Sequence, residues 1–349
     1  MNKQTPILVT GATGFIGAHL LQQLLSAGYT RIRGMRRSSS PMELVAPFRD
    51  QVEWAEADLL DPFSLEEAMQ GIQVVFHCAA VVSFDPAEAK AMMRANVEGT
   101  ANVVNTALHL GTEHLIYLSS VAAVGRSKNG ATLSEQSKWE RSPLNTRYAI
   151  SKFQGEQEVW RGQAEGLKVA VANPSIVLGS GYWDSGPPRF FQTVWDGISF
   201  YPAGTTGLVD VRDVACFMQL LMEQGHSGQR FILNAAHYPY RKLLSEIAEA
   251  LGKPAPGLKA GWLLRNLAWR ASWIQSRLTG QAPFLTRETA KNSSLSFYYK
   301  NDRSLQVPGF AYTPISQTIA DTAAEFLRSK GDKASLLPIA SRPQMTYKA

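Results

Sequence analysis

The chain has 349 residues, a formal net charge of +6, 45% apolar residues and 18% charged ones. That is enough for two ordinary domains, or for one large α/β domain with an added lobe, with a sizeable core in either case. The mild positive balance suits an anionic ligand, and the lack of a long Lys/Arg run argues against nucleic acid as a partner. Cys78 and Cys216 each sit in an apolar stretch and are read as buried, reduced thiols rather than a disulfide or a metal site. No apolar run reaches the length of about 18 residues needed for a spanning helix. The first strand starts within seven residues of Met1, too early for a signal peptide, so a cytoplasmic protein is expected.

Ile7-Leu8-Val9 reads as a buried parallel strand, and Leu20, Leu21, Leu24 and Leu25 mark a helix that ends near Gly28. Between them lies Thr10-Gly11-Ala12-Thr13-Gly14-Phe15-Ile16-Gly17. A glycine turn between a strand and a helix is a dinucleotide site. Gly11 permits the tight turn, Gly14 lets backbone approach a pyrophosphate, and Gly17 lets helix pack on strand. The helix N-terminus then offers unpaired N–H groups to an anion. The second strand, at 31–37, ends in Arg36 and Arg37, where an NAD site usually has a carboxylate for the ribose 2′-hydroxyl. Guanidinium groups suit a 2′-phosphate, so NADP(H) is favoured, with NAD(H) as the alternative.

The third strand, 52–59, ends near Asp58, and Asp61-Pro62 opens a helix. A buried strand at 74–80 carries His77, read as a packing residue. A helical pattern spans 88–110; a fifth strand, 115–118, delivers Ser119-Ser120; a helix covers 147–161; and a sixth strand, 169–172, leads into Asn173-Pro174-Ser175. Residues 179–188 read as a loop or lid, 216–224 as a helix, 231–234 as a strand, and 240–252 and 258–278 as helices. This alternation predicts a Rossmann-type doubly wound parallel sheet with a smaller, mostly helical C-terminal lobe. Residues 1–178 with the returning segment 205–236 are expected to form the dinucleotide-binding domain. Segments 179–204 and 237–330 should form the substrate-binding lobe, and 331–349 a loose tail. Gly11–Gly17, Arg36–Arg37, Asp58, Ala79–Ala80, Ser120 and Asn173–Ser175 all fall at predicted strand ends, where ligands bind in such sheets.

Tyr148 and Lys152, spaced i, i+4, share one helix face. A free phenol titrates near pH 10, and a nearby ammonium favours the phenolate, which brings the group toward a useful range. A serine hydroxyl can hold a substrate oxygen toward the phenol.

The N-terminal glycine run, the Tyr148/Lys152 pair and Ser120 placed five residues before Gly125 resemble the extended branch of the short-chain dehydrogenase/reductase superfamily, also called the NAD-dependent epimerase/dehydratase superfamily. The resemblance implies Ser120, Tyr148 and Lys152 as catalytic residues, with Asn96 lining the route to the site and joining a proton relay. It implies that Lys152 holds the nicotinamide ribose. It also implies cofactor contacts from Thr13, Phe15, Ile16, Asp58, Leu59, Ala79, Ala80, Leu118, Tyr148, Pro174 and Ser175. Val121-Ala122 stand where the dehydratases carry an Asp-Glu pair. Asn173-Pro174-Ser175 is nearest the dihydroflavonol-reductase-like and 3β-hydroxysteroid-dehydrogenase-like side. The expected reaction is hydride exchange between NADP(H) and a small carbonyl/alcohol substrate. A nucleotide-sugar epimerase and a non-catalytic dinucleotide-binding sensor or assembly factor are the alternatives. In 258–278, Leu263, Leu267, Ala271, Ile274 and Leu278 share one face. Trp262, Trp269 and Trp273, flanked by Arg265, Arg270 and Arg277, share another. That pattern reads either as a helix buried on two sides or as a Trp/Arg face lining an apolar pocket or resting on a membrane interface. The resemblance further implies a homodimer through the helices at 90–110 and 147–162.

Overall fold

A computed structural model describes residues 1–127, 130–261, 269–270 and 286–331. Seven parallel strands form its central sheet: β1 (Ile7–Thr10), β2 (Ile32–Arg36), β3 (Glu53–Glu56), β4 (Val74–His77), β5 (His114–Leu118), β6 (Lys168–Pro174) and β10 (Gln229–Leu233). Their order is β10-β6-β5-β4-β1-β2-β3. The sheet is therefore doubly wound, and the direction of winding reverses between β1 and β4. The crevice beyond those two strand ends is where the glycine run and Ala79–Ala80 lie.

Most central strands read as continuous apolar runs because both faces are covered. Alternate residues serve opposite cores. Ile7, Val9, Phe76 and Ile116 pack with α1 (Phe15–Ser26) and α8 (Val211–Glu223). Leu8, Val75, Leu115 and Tyr117 pack on the other face with α2 (Pro62–Met69), α4 (Gly99–His109) and α6 (Arg147–Ala164). Asp61 caps α2 through its side chain, with Pro62 at the first helical position.

Four local expectations need correction. The helical run at 88–110 is interrupted: α3 (Ala89–Met93) passes through a π-helical turn at Arg94–Glu98 before α4. Helix α8 starts five residues before 216, because Asp210 accepts from the Arg212 N–H and caps it there. Leu258–Lys259 opens no helix; it is strand β12, paired with β8 (Phe200–Tyr201). Cys78 and Cys216 are free thiols but only partly buried, since Cys78 leaves β4 at the open end of the sheet.

The remaining chain builds a second layer. Strands β7 (Ile176–Leu178), β9 (Thr205–Asp210) and β11 (Ala236–Pro239) form a three-stranded sheet. Helices α7 (Arg189–Trp195), α9 (Tyr240–Ala250) and the last described helix, Ile315–Gly331, enclose a core of Phe191, Leu243, Ile247, Ile319 and Phe326. The segment 205–236 divides, with β10 joining the central sheet and β9 the smaller one. Asp210, fully buried, binds Arg212 and accepts from Thr318, while Arg212 also pairs with Asp321 at 2.8 Å. These bonds lock the last helix to the root of α8. Most of the proposed Trp/Arg helix, including Trp262, Arg265, Trp273 and Arg277, lies outside the described residues, as does the tail from 332. Of that face, Arg270 lies 5.1 Å over the Trp269 ring. No helix among the described residues is long and apolar enough to cross a membrane.

Three histidines are buried within this framework. Desolvation holds His77 down to about 3 and both His19 and His114 to about 4, against an ordinary 6.5. Between pH 6.5 and about 4 the unfolded chain binds up to three more protons than the native one. Stability is therefore retained above 6.5 and is lost as pH falls through this window. The slope should approach about 4 kcal/mol per pH unit from these groups. Urea midpoints measured from pH 7.5 to 4.5 test this, and a flat profile would contradict it.

Candidate active site

The glycine run joins β1 to α1 at the switch point. Gly11 has φ +65°, and a Cβ there would lie 2.8 Å from the Ala79 backbone, so the turn presses directly on the end of β4. A Cβ on Gly17 would run into the Gly11 carbonyl. Gly14 is the N-cap of α1 and supplies no side-chain cap, so the first helical N–H groups face outward from a bare turn. The loop after β7 covers one flank: Gly181 lies against the Phe15 ring, and the Tyr182 hydroxyl donates to the Thr13 carbonyl at 3.3 Å. This cradle, closed to side chains yet rich in backbone donors, fits a dinucleotide pyrophosphate.

Arg36 and Arg37 follow β2 but differ in environment. Arg36 pairs with Glu56 at 2.7 Å and donates to the carbonyls of Arg37 and Ser38, so it braces the turn. Arg37 is exposed at that turn. Asp58 is exposed and accepts from the Leu60 N–H; the neighbouring Leu59 carbonyl accepts from Asn102. Ala79 donates its N–H to the Thr10 hydroxyl, and Ala80 is exposed. Pro174 ends β6, and the buried Ser175 donates its N–H to the Leu233 carbonyl.

Ser120 leaves β5 as the N-cap of the short helix α5 (Val121–Val124), its oxygen accepting from the Ala122 N–H at 3.1 Å. Its side chain also acts on the Tyr148 phenol, in the first turn of α6, favouring the phenolate. Thr146 caps that turn. Ser120 and Tyr148 are thus brought together.

Lys152 shares the Tyr148 face but does not hydrogen-bond the phenol. Its Nζ donates to the Tyr117 hydroxyl at 2.8 Å and the Leu118 carbonyl at 3.0 Å, and lies over the Tyr117 ring. The expectation that the ammonium draws the Tyr148 phenol down is therefore not met in the protein alone. Burial pushes that phenol above its ordinary value, and only the Ser120 side chain acts the other way. Burial likewise lowers Lys152 to about 8, with Glu156 opposing the shift.

Asn96 is buried and holds Val81 as a strand partner would, accepting from its N–H and donating to its carbonyl, both at 2.8 Å. It also donates to Ser151, which donates to the Tyr148 carbonyl. It supports the turn beneath the phenol through two bonds.

Two residues that sequence reasoning missed complete the floor. Tyr117 accepts from Lys152, and beside it Thr100, His77 and Thr10 form a chain of buried hydrogen bonds toward the glycine run. Glu156, one turn beyond Lys152, accepts from Ser119 at 2.7 Å and Asn173 at 2.8 Å and pairs with Arg230 at 3.3 Å. Asn173 also donates to the Ser120 carbonyl. The repeat of Tyr148, Lys152 and Glu156 at i, i+4 and i+8 was the available signal.

A doubly wound sheet with a glycine-lined anion cradle and a Ser–Tyr pair above a buried lysine defines a dinucleotide-dependent enzyme of the short-chain type. Residues 7–236 match the model of the NAD dependent epimerase/dehydratase family. Two curated relatives are similar over most of the chain. A "putative dihydroflavonol 4-reductase" of Synechocystis sp. is 32% identical, over 91% of this chain and 93% of its own length. "Sterol demethylase protein B" of Methylococcus capsulatus is 31% identical, over 72% and 76%. Among solved structures, gox2253 superposes with a TM-score of 0.78 at 31% identity, covering 93% of this chain and 98% of its own. The dTDP-glucose 4,6-dehydratase DesIV of Streptomyces venezuelae, solved with NAD, shares the fold with a TM-score of 0.77 at 19% identity, covering 94% and 98%. The chain belongs to the NAD-dependent epimerase/dehydratase family of extended short-chain dehydrogenases/reductases, and it is an NAD(P)-dependent oxidoreductase.

Replacing Glu156 by Gln should leave Arg230 short of its buried counter-charge and loosen Ser119 and Asn173. A loss of about 3 kcal/mol or more is expected in urea unfolding. A loss under about 0.5 kcal/mol would show that the network carries little of the fold.

Proposed function

We propose that the protein is an NADP(H)-dependent reductase that interconverts a carbonyl and an alcohol on a small, largely apolar substrate. The observation that carries this reading is the pairing of Ser120 with the Tyr148 phenol, set above a buried Lys152 whose Nζ donates to the Leu118 carbonyl at the carboxyl end of β5. The reductase names among the similar proteins support it, as do Val121 and Ala122 where a dehydratase would carry acidic residues. Phe84 packs edge-on to Tyr148 with ring centroids 5.9 Å apart, which gives the phenol an apolar neighbour suited to such a substrate.

When bound, the nicotinamide supplies or accepts the hydride. Gly11, Gly14 and Gly17 admit the pyrophosphate to the N-terminus of α1. Arg37, presented by the turn that Arg36 braces, would meet the 2′-phosphate. Ser120 donates to the substrate oxygen and stabilises negative charge as it develops there. Tyr148, kept protonated by burial, gives its proton to the same oxygen. Lys152 holds a positive charge beneath the phenol and offsets the phenolate that forms. Asn96 positions Tyr148 through Ser151.

Tyr148→Phe removes the proton donor and should lower kcat on a reducible aldehyde or ketone by about 10²–10⁴-fold, read as NADPH consumption. In the wild type, kcat/KM should fall above about pH 8, where Lys152 loses its charge. Turnover by Tyr148→Phe within a few-fold of wild type would sink the mechanism. Turnover of a UDP-sugar control with no net change in NADPH would favour an epimerase.

The cofactor preference has its own test. NADPH should bind more tightly than NADH, and Arg37→Ser should weaken NADPH about 10–100-fold while changing NADH little. Tighter binding of NADH by the wild type would refute the role given to the arginines.

A further inference from the structure

Arg126 is a cation that the proposed chemistry does not use. It sits just past Gly125, on the loop that leaves the Ser120 helix. Its guanidinium donates at 2.9 Å to the carbonyl of Leu144, four residues before Tyr148. Arg126 therefore bridges the two segments that carry the two catalytic hydroxyls. On its other side the Tyr299 phenol lies within electrostatic reach, and the guanidinium lies over the Phe297 ring, 5.0 Å from its centroid. Tyr299 reaches back toward the Gly125 carbonyl at 3.4 Å, so the aromatic wall and the loop are one unit.

The hydrogen-bond acceptor of this guanidinium is a carbonyl, which is neutral. Glu288 acts on it through space, not through a hydrogen bond, and the Tyr240 phenol lies within electrostatic reach. Surrounding protein disfavours the charge, and Glu288, acting at a distance, offsets only part of that cost. Lowering of the guanidinium from its ordinary value follows from that desolvation. A hydrogen-bonding role alone would be met by a neutral side chain at lower cost. A planar fork beside two phenols is instead matched to a monoanion with two acceptor oxygens. A phosphate dianion would call for a second cation.

We propose that Arg126, with Tyr240 and Tyr299, forms a subsite for a carboxylate on the substrate, placed beside the reacting carbonyl. This rests on the reductase reading and narrows it, since the substrate then has an apolar body and one acidic group. The subsite selects among substrates through KM and takes no part in proton or hydride transfer.

The test uses a matched pair, 4-carboxybenzaldehyde and its methyl ester, with NADPH. Wild type should prefer the acid at least tenfold in kcat/KM. Arg126→Gln should abolish that preference, mainly by raising KM for the acid, and Arg126→Lys should restore part of it. A non-reactive carboxylate, 3-phenylpropionate, supplies a readout independent of turnover: calorimetric binding to the NADPH-loaded wild type, weakened at least tenfold in Arg126→Gln. Absence of acid preference and of carboxylate binding in the wild type overturns the proposal. So does an Arg126→Gln variant that loses acid and ester activity equally, the signature of a structural tie to Leu144. Carboxylate binding without reduction of either aldehyde leaves the subsite standing and removes the reductase reading.

Discussion

Lys152 is an ammonium group held almost wholly out of water, and the design of the site follows from what keeps it there. Helix α6 must come close to the sheet before its lysine can reach a strand carbonyl. Gly155 allows this, because a Cβ at that position would lie 2.5 Å from the Asn96 carbonyl and 2.9 Å from the Tyr117 hydroxyl. With the helix that close, the amine finds a phenol, a carbonyl and an aromatic face beneath it. Glu156 adds a negative charge one turn on, and that carboxylate is itself met by Ser119, Asn173 and Arg230. Tyr148, Lys152 and Glu156 thus form a column of three ionisable groups on one helix face, each served by the ends of β5 and β6.

The column also explains how the two strand ends stay in register with the helix. Ser119 and Ser120 point to different partners, as neighbouring strand residues must. One donates to Glu156 and the other acts on Tyr148. Asn173 closes the circuit by donating to both the Glu156 carboxylate and the Ser120 carbonyl. The hydroxyl that would face substrate is therefore fixed from behind by groups that never meet it.

Much of this was legible in the sequence, because it depends on local pattern. The glycine spacing, the buried strand runs and the Tyr148/Lys152 interval each report a periodicity or a steric need that a short segment displays by itself. What stayed hidden depends on contacts between distant segments. Arg36 and Arg37 are adjacent and chemically alike, yet Glu56 on the next strand captures one and leaves the other exposed. Asn96 in a helical pattern gives no sign that it will serve as a strand partner to Val81. The direction of the Lys152 side chain, inward to Tyr117 instead of along the helix to Tyr148, is decided by the sheet beneath it. Helix α8 starts at Val211, five residues before the expected 216, because the Asp210 side chain caps it there.

The protonation states bear on direction. Burial acts on Tyr148 and Lys152 in opposite senses, raising the phenol and lowering the amine, and in both cases it favours the neutral form. For the phenol this means that near neutral pH the proton is in place, as donation to a carbonyl oxygen requires. For the amine the opposing carboxylate of Glu156 and the acceptors at Tyr117 and Leu118 leave it still largely charged below about 8. Alcohol oxidation needs the phenolate instead, the form that desolvation penalises. On the proposed mechanism, desolvation therefore favours the protonation state that reduces a carbonyl, and rising pH would erode the Lys152 charge.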